Sequence, residues 1–309
     1  MTLTGDYHTH TVYSHGKGSV FDNARRAKEI GLGEIAISDH GFAQMAFGLR
    51  RRQLPQLIED CRAAGRETGI PVYVGIEANI CGESGKTDLG EQDYDNFDVF
   101  LAGMHRFVRF ERWRDAWNLL GKNYADCALR LRPGASLIRS NTKAYINCIQ
   151  KNPLDAVTHL NFLCFCDVAE VAKAARDYGT YIELNSKKVH LTDEELARVA
   201  DTGVRFIVGS DAHTPDRIGD TKLVDEQLAR IGFPRERIDN IDGRKPHFRF
   251  RAFKEGRGRA WRTILPASSS ANWSKAGWKT PAARRRRFRR FCAPRAAPSV
   301  SAGRRGLNS

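Results

Sequence analysis

The sequence predicts an α/β protein whose parallel sheet closes into a barrel. Seven short, β-rich apolar segments recur along the first 213 of its 309 residues. Segments with the spacing of amphipathic helices separate most of them, and this alternation is typical of βαβ units in a parallel sheet. The 41% hydrophobic content is enough for one large domain or two smaller ones. A barrel is the natural closure for seven such strands.

The strands are predicted one after another along the chain. They lie within GDYHTH (5–10), EIAISDH (34–40), PVYVGIEANI (71–80), FDVFLAGMH (97–105), LDAVTHL (154–160), TYIELNS (180–186) and RFIVGSDAH (205–213). Helices are predicted between them in VFDNARRAKEIG, QLPQLIEDCRAAGRETG, CDVAEVAKAARDYG and TDEELARVADTG, each closed by a glycine suited to a helix C-terminus. Thr192 and Glu195 form a capping box at the start of the last. The stretch 106–141 follows no pattern that assigns its elements.

The charge of the chain divides it into two parts. The formal net charge is +14, yet from Arg244 onward there are 19 Lys and Arg against one acid, Glu255. That leaves 31 basic and 35 acidic residues, a net charge of −4, for residues 1–243. We therefore expect a mildly acidic barrel domain over 1–243 and a basic tail over 244–309.

The tail is rich in Arg, Ser, Ala and Pro, and includes AARRRRFRRF at 282–291. Dense like charge with little apolar periodicity predicts disorder. Trp273 and Trp278, interspersed with the basic residues, leave weak nucleic-acid contact through the tail as an alternative. An extension without function, even one from an altered reading frame, fits the composition equally well.

We expect a cytoplasmic protein. His8 comes too early for a signal peptide to precede it, and no apolar run approaches the roughly 18 residues that span a bilayer. Seven cysteines, scattered and odd in number, favour reduced thiols.

Histidines and acids gather at the ends of the predicted strands. His8 and His10 are two residues apart on an extended segment, so their side chains face the same way. Strand ends of an α/β barrel share one rim, where active sites lie. The residues predicted there are His8, His10, His15, His40, Glu77, His105, His159, Asp211 and His213, whereas His190 and His247 fall elsewhere. Solvated surface histidines would explain any one of them, but not this distribution.

The motifs around these residues resemble the PHP (polymerase and histidinol phosphatase) superfamily. The matching stretches are HTHTVYSHG, ISDHG, GIEANI, GMH, VTH and GSDAHTP, over roughly residues 4 to 243. The resemblance is strongest to the stand-alone bacterial phosphoesterases with three metal ions, and it implies a distorted seven-stranded β/α barrel. Where many relatives have His-Pro-Gly, this chain reads His159-Leu160-Asn161, so the loop there is expected to differ.

The resemblance also implies three metal sites. The first would be formed by His8, His10, Glu77 and Asp211. The second would share Glu77 and add His105 and His159. The third would be formed by His15, His40 and His213.

The resemblance thus implies up to three divalent ions. The residue types themselves favour Zn, Mn or Fe, since imidazole with carboxylate suits these metals better than Mg or Ca. A bridging carboxylate can hold two ions close together, and a bound ion lowers the pKa of water from about 15.7 to about 7. This predicts phosphoester hydrolysis without a protein nucleophile. A metal centre without catalytic function, for storage or for structure alone, is the alternative, although structural zinc is usually held by cysteines.

Other residues have predicted supporting roles. Glu77 and Asp211 are expected in the catalytic machinery as well as among the ligands. Asp39, whose side chain faces away from that of His40, is expected to orient a ligand or loop, and Arg106 to meet a substrate phosphate. Arg217 is a further candidate for the phosphate, while Glu183 could orient an imidazole or pair with a basic core residue.

The leading interpretation is a phosphomonoesterase acting on small phosphorylated metabolites or nucleotides. A 3′–5′ exonuclease is the alternative within the same enzyme class, because the PHP modules that accompany bacterial DNA polymerases look similar. A nucleic-acid-binding or regulatory protein, acting through the tail, is a further alternative. The substrate, the native metal and the oligomeric state are not determined by these patterns.

Overall fold

The computed structural model describes residues 1–129 and 133–256 of the chain. Its sheet contains seven parallel strands that are neighbours in chain order. They are β1 (Gly5–Thr9), β2 (Glu34–Ile37), β3 (Val72–Asn79), β4 (Val99–Gly103), β5 (Ala156–Val157), β6 (Tyr181–Asn185) and β7 (Phe206–Gly209). Each of the seven predicted strands is confirmed, and the predicted distorted barrel is the observed architecture.

The seam between β1 and β7 is held by a few specific bonds. At the carboxyl end, the His10 N–H donates to the Ala212 carbonyl at 2.8 Å. At the opposite end, the Asn240 side chain donates to the carbonyls of Gly5 and Val208 and accepts from the Val208 N–H. At this end the Asn240 side chain thus connects β1 and β7 in place of direct backbone hydrogen bonds between the two strands. The barrel is nearly closed.

The helices surround the sheet. They are α1 (Val20–Glu29), α2 (Leu54–Thr68), α3 (Trp113–Asp115), α4 (Lys122–Ala128), α5 (Ala135–Lys151), α6 (Val168–Tyr178), α7 (Asp193–Asp201), α8 (Lys222–Ile231) and α9 (Arg249–Gly256), with a π-helical segment, Ala116–Gly121, between α3 and α4. The predicted capping box is present, since the Thr192 side chain accepts from the Glu195 N–H and Glu195 accepts from the Thr192 N–H. Gly69 and Gly179 end α2 and α6 in the left-handed conformation, as expected.

The chain stays packed beyond residue 243. Phe250 on α9 is fully buried and its ring lies 5.5 Å from that of Phe100, and its N–H donates to Asp155 at 2.7 Å. Phe248 meets Tyr7 edge to face, 4.8 Å away, at the amino-terminal end of the barrel interior. The folded unit therefore extends past the predicted boundary to Gly256. The rest of the predicted tail, 257–309, lies outside the described residues.

Within the described ranges, no helix combines the length and apolar character needed to cross a bilayer.

Candidate metal centre

All nine predicted ligands meet in one cluster at the carboxyl ends of the strands. Glu77 lies within β3 and His8 within β1, while the others follow their strands directly or lie in the adjoining loops. Every side chain in the cluster except those of His15 and His213 is almost fully buried. His15 reaches it from the loop after β1, where its ring centre lies 4.1 Å from that of His213 and 4.9 Å from that of His40.

Glu77 is the hub of the cluster. Its Oε1 lies 2.7 Å from His159 Nε2 and 3.1 Å from His105 Nε2. Its Oε2 lies 2.9 Å from His40 Nδ1 and 3.3 Å from His8 Nε2. Each carboxylate oxygen therefore faces its own pair of imidazoles, so Glu77 would be able to offer one oxygen to each of two cations.

Asp211 forms a second focus of the cluster. Its Oδ1 lies 3.3 Å from His10 Nε2 and 3.3 Å from His213 Nδ1. His10 and His8 approach each other through Nε2 atoms 3.2 Å apart. Potential ligand atoms lie within 4.8 Å of one another in three sets, which are His8 with His10 and Asp211, His10 with His40 and His213, and His40 with Glu77 and His105.

The donor atoms fit metal ions better than they fit one another. His105 and His159 also face each other through Nε2 atoms 3.2 Å apart. Among the described residues, Glu77 Oε2 and His40 Nδ1 are buried without a hydrogen-bond partner although they lie 2.9 Å apart. Buried polar groups left unpaired are unfavourable, and cations shared among these ligands would remove that penalty for the atoms that face them.

The electrostatics give most of these ligands the protonation states that metals require, and His8 is the exception. Burial alone would lower the pKa of His8, but the carboxylates of Glu183, Glu77 and Asp211 outweigh it and raise that pKa well above its usual value, so a metal would have to displace a proton from this ring. Burial lowers the pKa of His40 to about 4 and, together with the charge of His213, that of His15 to about 3. Burial alone would raise the pKa of Glu77, but the surrounding histidines outweigh it and hold that pKa well below its usual range. At neutral pH the imidazoles of His15 and His40 are uncharged and the Glu77 carboxylate is ionised, as metal ligation demands.

Glu183 orients a histidine from outside the cluster. Its Oε1 lies 2.5 Å from His8 Nδ1, and its Oε2 accepts from the His159 N–H at 2.8 Å. This contact directs His8 Nε2 towards Glu77 and Asp211. Gly209 permits it, because a Cβ there would press on both Glu183 and the His8 Cβ. Of the two roles considered from sequence, the structure supports orientation of an imidazole.

Asp39 supports the first loop and makes no contact with the cluster's donor atoms that the structure records. It accepts from the Thr11 N–H at 2.7 Å, from Thr11 Oγ1 at 2.6 Å and from Ser14 Oγ at 2.5 Å. These bonds fix the turn that brings His15 back over the barrel mouth. An orienting role for Asp39 stays a prediction.

The loop after β5 resolves the departure from the family motif. His159 has φ 30° and Asn161 has φ 73°, both in the left-handed region. Asparagine tolerates that conformation better than most residues, so Asn161 can take the place of the glycine in the His-Pro-Gly motif considered from sequence. Asp211 is also left-handed, with φ 48°. Two ligands thus have sparsely populated backbone conformations, which is common at functional sites.

The cations near the cluster include one that was not predicted, and the roles of Arg106 and Arg217 towards a phosphate stay predictions. Arg106 is exposed beside the Tyr124 ring, and Arg217 pairs with Asp220 at 2.7 Å. Lys187 was not predicted, yet its Nζ lies 3.2 Å from Asp211 Oδ1 and 3.1 Å from His213 Nδ1. The signal in the sequence was its position directly after β6, because residues that follow the strands were expected at the rim and none after β6 had been assigned there.

The two histidines predicted outside the site behave differently. His247 is exposed near the amino-terminal end of the barrel, where its N–H donates to the Tyr181 hydroxyl. His190 instead packs beside the cluster, its ring centre 5.7 Å from that of His159. The expectation for His190 is therefore wrong as to position, because the loop after β6 folds back over the rim.

Comparisons with known proteins agree with this geometry. The family described as "PHP domain" matches residues 6–187. A protein named "Probable phosphatase" from Thermoanaerobacter sp. (strain X514) is 30% identical over 257 residues, covering 78% of this chain and 92% of that protein. One of the same name from Vibrio campbellii is 29% identical over 84% of this chain and 95% of its own length.

A solved structure shares the fold. Histidinol phosphate phosphatase from Lactococcus lactis, in complex with zinc, L-histidinol and phosphate, superposes with a TM-score of 0.50 and 16% identity, covering 75% of this chain and 95% of that one. At this identity the likeness concerns the arrangement of strands and helices.

Proposed function

Because the chain belongs to the PHP domain family, we propose that it hydrolyses monoesters of small phosphorylated metabolites or nucleotides with up to three divalent ions. The enzyme is a metal-dependent phosphoesterase; the kind of ester, the number of ions and the residues that hold them are the proposed parts. The observation that supports the proposal most is the position of Glu77, whose two oxygens each face a pair of imidazoles.

The three proposed sites keep the grouping that the family resemblance implies. His8, His10 and Asp211 would hold one ion with Glu77. His105 and His159 would hold a second, also with Glu77, and His15, His40 and His213 a third. Zn, Mn and Fe are the proposed metals because imidazole nitrogen dominates these sets.

When bound, such ions supply hydroxide near neutral pH and neutralise the oxygens of a phosphoryl group. The chain's own residues provide the geometry for that chemistry. Glu183 fixes the ring of His8, and Asp39 fixes the loop of His15. Lys187 adds a positive charge beside Asp211, where it can attract and position an anionic phosphate.

The proposed preference for small monoesters draws on the relatives. Two carry the word phosphatase in their names, and the Lactococcus lactis enzyme was solved with L-histidinol and phosphate. Cytoplasmic location and weak nucleic-acid contact through the basic tail, 244–309, remain expectations from sequence.

The test is a substrate panel with metal analysis. We expect protein purified without chelator to contain more than one equivalent of Zn, Mn or Fe, and to release phosphate from monoesters. Short single-stranded oligonucleotides form the contrasting arm. Degradation of the oligonucleotides without turnover of any monoester would support the nuclease instead, and less than about one ion per chain after reconstitution would contradict the three-ion model.

A further inference from the structure

An aromatic groove opens beside the metal centre, outside the nine candidate ligands. It has a volume of about 640 Å³ and is lined mainly by Arg106, Phe107, Trp113, Trp117, Leu120 and Tyr124. We call this set the aromatic groove. None of its aromatic residues has a part in the site described above.

The groove's aromatic rings are far more exposed than large apolar residues usually are. Trp113 is 79% exposed, Trp117 56%, Phe107 58% and Tyr124 58%. They account for all the aromatic residues among the exposed large hydrophobics of the described chain. An apolar cluster of this kind on a surface marks a binding site.

The helix beneath the groove holds the rings in place. Trp113 and Trp117 are one turn apart, and Trp117 belongs to the π-helical segment Ala116–Gly121. Gly121 is needed here, because a Cβ at that position would come within 2.6 Å of the Trp117 ring. Trp117 therefore lies close against the helix backbone with its other face available, and single-turn π-helices occur often at functional sites.

The groove is continuous with the metal centre along the backbone. Arg106 and Phe107 directly follow His105, whose Nε2 lies 3.1 Å from Glu77. The Arg106 guanidinium lies 5.9 Å from the centre of the Tyr124 ring. A ligand with its phosphate at the cluster and a ring on Trp117 would pass this arginine.

Positive charge accumulates between the two regions. Burial and the charge of Arg106 lower the pKa of Lys188. Lys187, the preceding residue, reaches Asp211 and His213. The path from the cluster to the groove therefore suits an anion at one end and an apolar, planar group at the other.

We propose that the aromatic groove binds a planar ring carried by the leaving group of the substrate, so that the preferred esters are ring-bearing monophosphates such as nucleotides. This inference rests on the proposed function and narrows its substrate class. Stacking on an indole favours a flat π-system over a polyol or an aliphatic chain. The cations that border the groove favour an anionic ligand over a neutral apolar surface.

The experiment compares two monoesters on variants of the full chain. Adenosine 5′-monophosphate carries a ring, and glycerol 3-phosphate does not. We expect the double variant Trp113→Ala/Trp117→Ala, loaded with metal, to lose about tenfold to a hundredfold in kcat/KM on the nucleotide, mostly through KM. Its kcat/KM on glycerol 3-phosphate should stay within about twofold. Trp117→Phe should restore much of the loss relative to Trp117→Ala, and Ile30→Ala, an exposed apolar residue on another face, is the matched control.

A binding measurement accompanies the kinetics. Adenosine 5′-monophosphate should quench the tryptophan fluorescence of metal-free wild-type protein, and inorganic phosphate should not. Trp261, Trp273 and Trp278 remain in the double variant, so its loss of quenching would assign the signal to the groove.

The outcomes separate the two proposals. If wild-type, metal-loaded protein turns over neither monoester, the proposed function fails. If it turns over both and the double variant loses both equally, or neither, the ring subsite is overturned while the phosphatase stands. If the wild-type protein is a dimer, and the double variant is a monomer with unchanged kinetics, the groove is a self-association surface and the proposal is also overturned.

Discussion

Replacing Glu183 with glutamine tests whether the cluster is held in shape for metals. The carboxylate accepts from His8 Nδ1 at 2.5 Å, from the His159 N–H at 2.8 Å and from Asn185 Nδ2 at 3.1 Å. Glutamine has one acceptor oxygen and an NH₂ group in place of the second. If its oxygen keeps the His159 N–H, its NH₂ meets the Nδ1 proton of His8.

Two responses remain for His8, and both weaken metal binding. Its proton can move to Nε2, the atom that faces Glu77 at 3.3 Å, which removes the lone pair that a metal needs. Otherwise a buried donor stays unpaired, which costs about 1–3 kcal/mol. Either way we expect Glu183→Gln to lower metal affinity roughly tenfold to a hundredfold.

The assay is a competition titration of metal-free protein with Zn²⁺ and a chromogenic chelator. Glu34→Gln is the matched control, because Glu34 is also buried and accepts from Tyr7 Oη at 2.5 Å, but at the far end of the barrel. Its affinity should stay within about twofold of wild type, with circular dichroism showing both variants folded. Wild-type affinity in Glu183→Gln, or an equal loss in Glu34→Gln, would refute the reasoning.

Three further results are expected. Glu77→Gln should abolish hydrolysis in a phosphate-release assay, since a neutral amide bridges two cations poorly. In the same assay His247→Gln should retain nearly full activity, because His247 is exposed and distant from the cluster. An equal loss of activity in the two variants, both folded, would show that the site has been assigned wrongly. Phe250→Ala should lower the free energy of unfolding in urea by about 3–5 kcal/mol, because its side chain is fully buried. A chain ending at Gly256 should keep its activity on small substrates within a few-fold. Unchanged stability in Phe250→Ala, together with loss of activity in the shortened chain, would contradict the packing seen for α9. Dialysis against EDTA should remove activity but leave the far-ultraviolet circular dichroism nearly unchanged, because the strands and helices pack through an apolar core that does not include the cluster. Activity that survives chelation, with no metal detectable, would count against a metal-dependent reaction.

Local patterns were enough to predict the number of strands and the side chains that meet at the rim. His8 and His10 share a face because strand periodicity is two, and the other ligands follow strand ends that any parallel barrel brings together. These inferences need only the order of elements along the chain.

Contacts that depend on loop paths could not be predicted in the same way. His190 reaches His159 because the loop after β6 folds over the rim, and Lys187 meets Asp211 for the same reason. The partner of Glu183 was left open, since which strand faces it depends on the barrel's curvature. The aromatic groove lies in the stretch 106–141, where a π-helical segment disrupts the ordinary 3.6-residue pattern.

The Asn240 side chain has a consequence for the order in which the protein can fold during synthesis. All seven strands are outside the ribosome once Gly209 has emerged, yet the amino-terminal half of the seam gains its bonds to Gly5 and Val208 only after Asn240 has emerged as well. Over those 31 residues the nascent sheet has its first and last strands incompletely joined, and unpaired strand edges promote association with other chains. The position of one asparagine, well beyond the last strand in the chain, thus sets how long the new protein is exposed to association through its open strand edges.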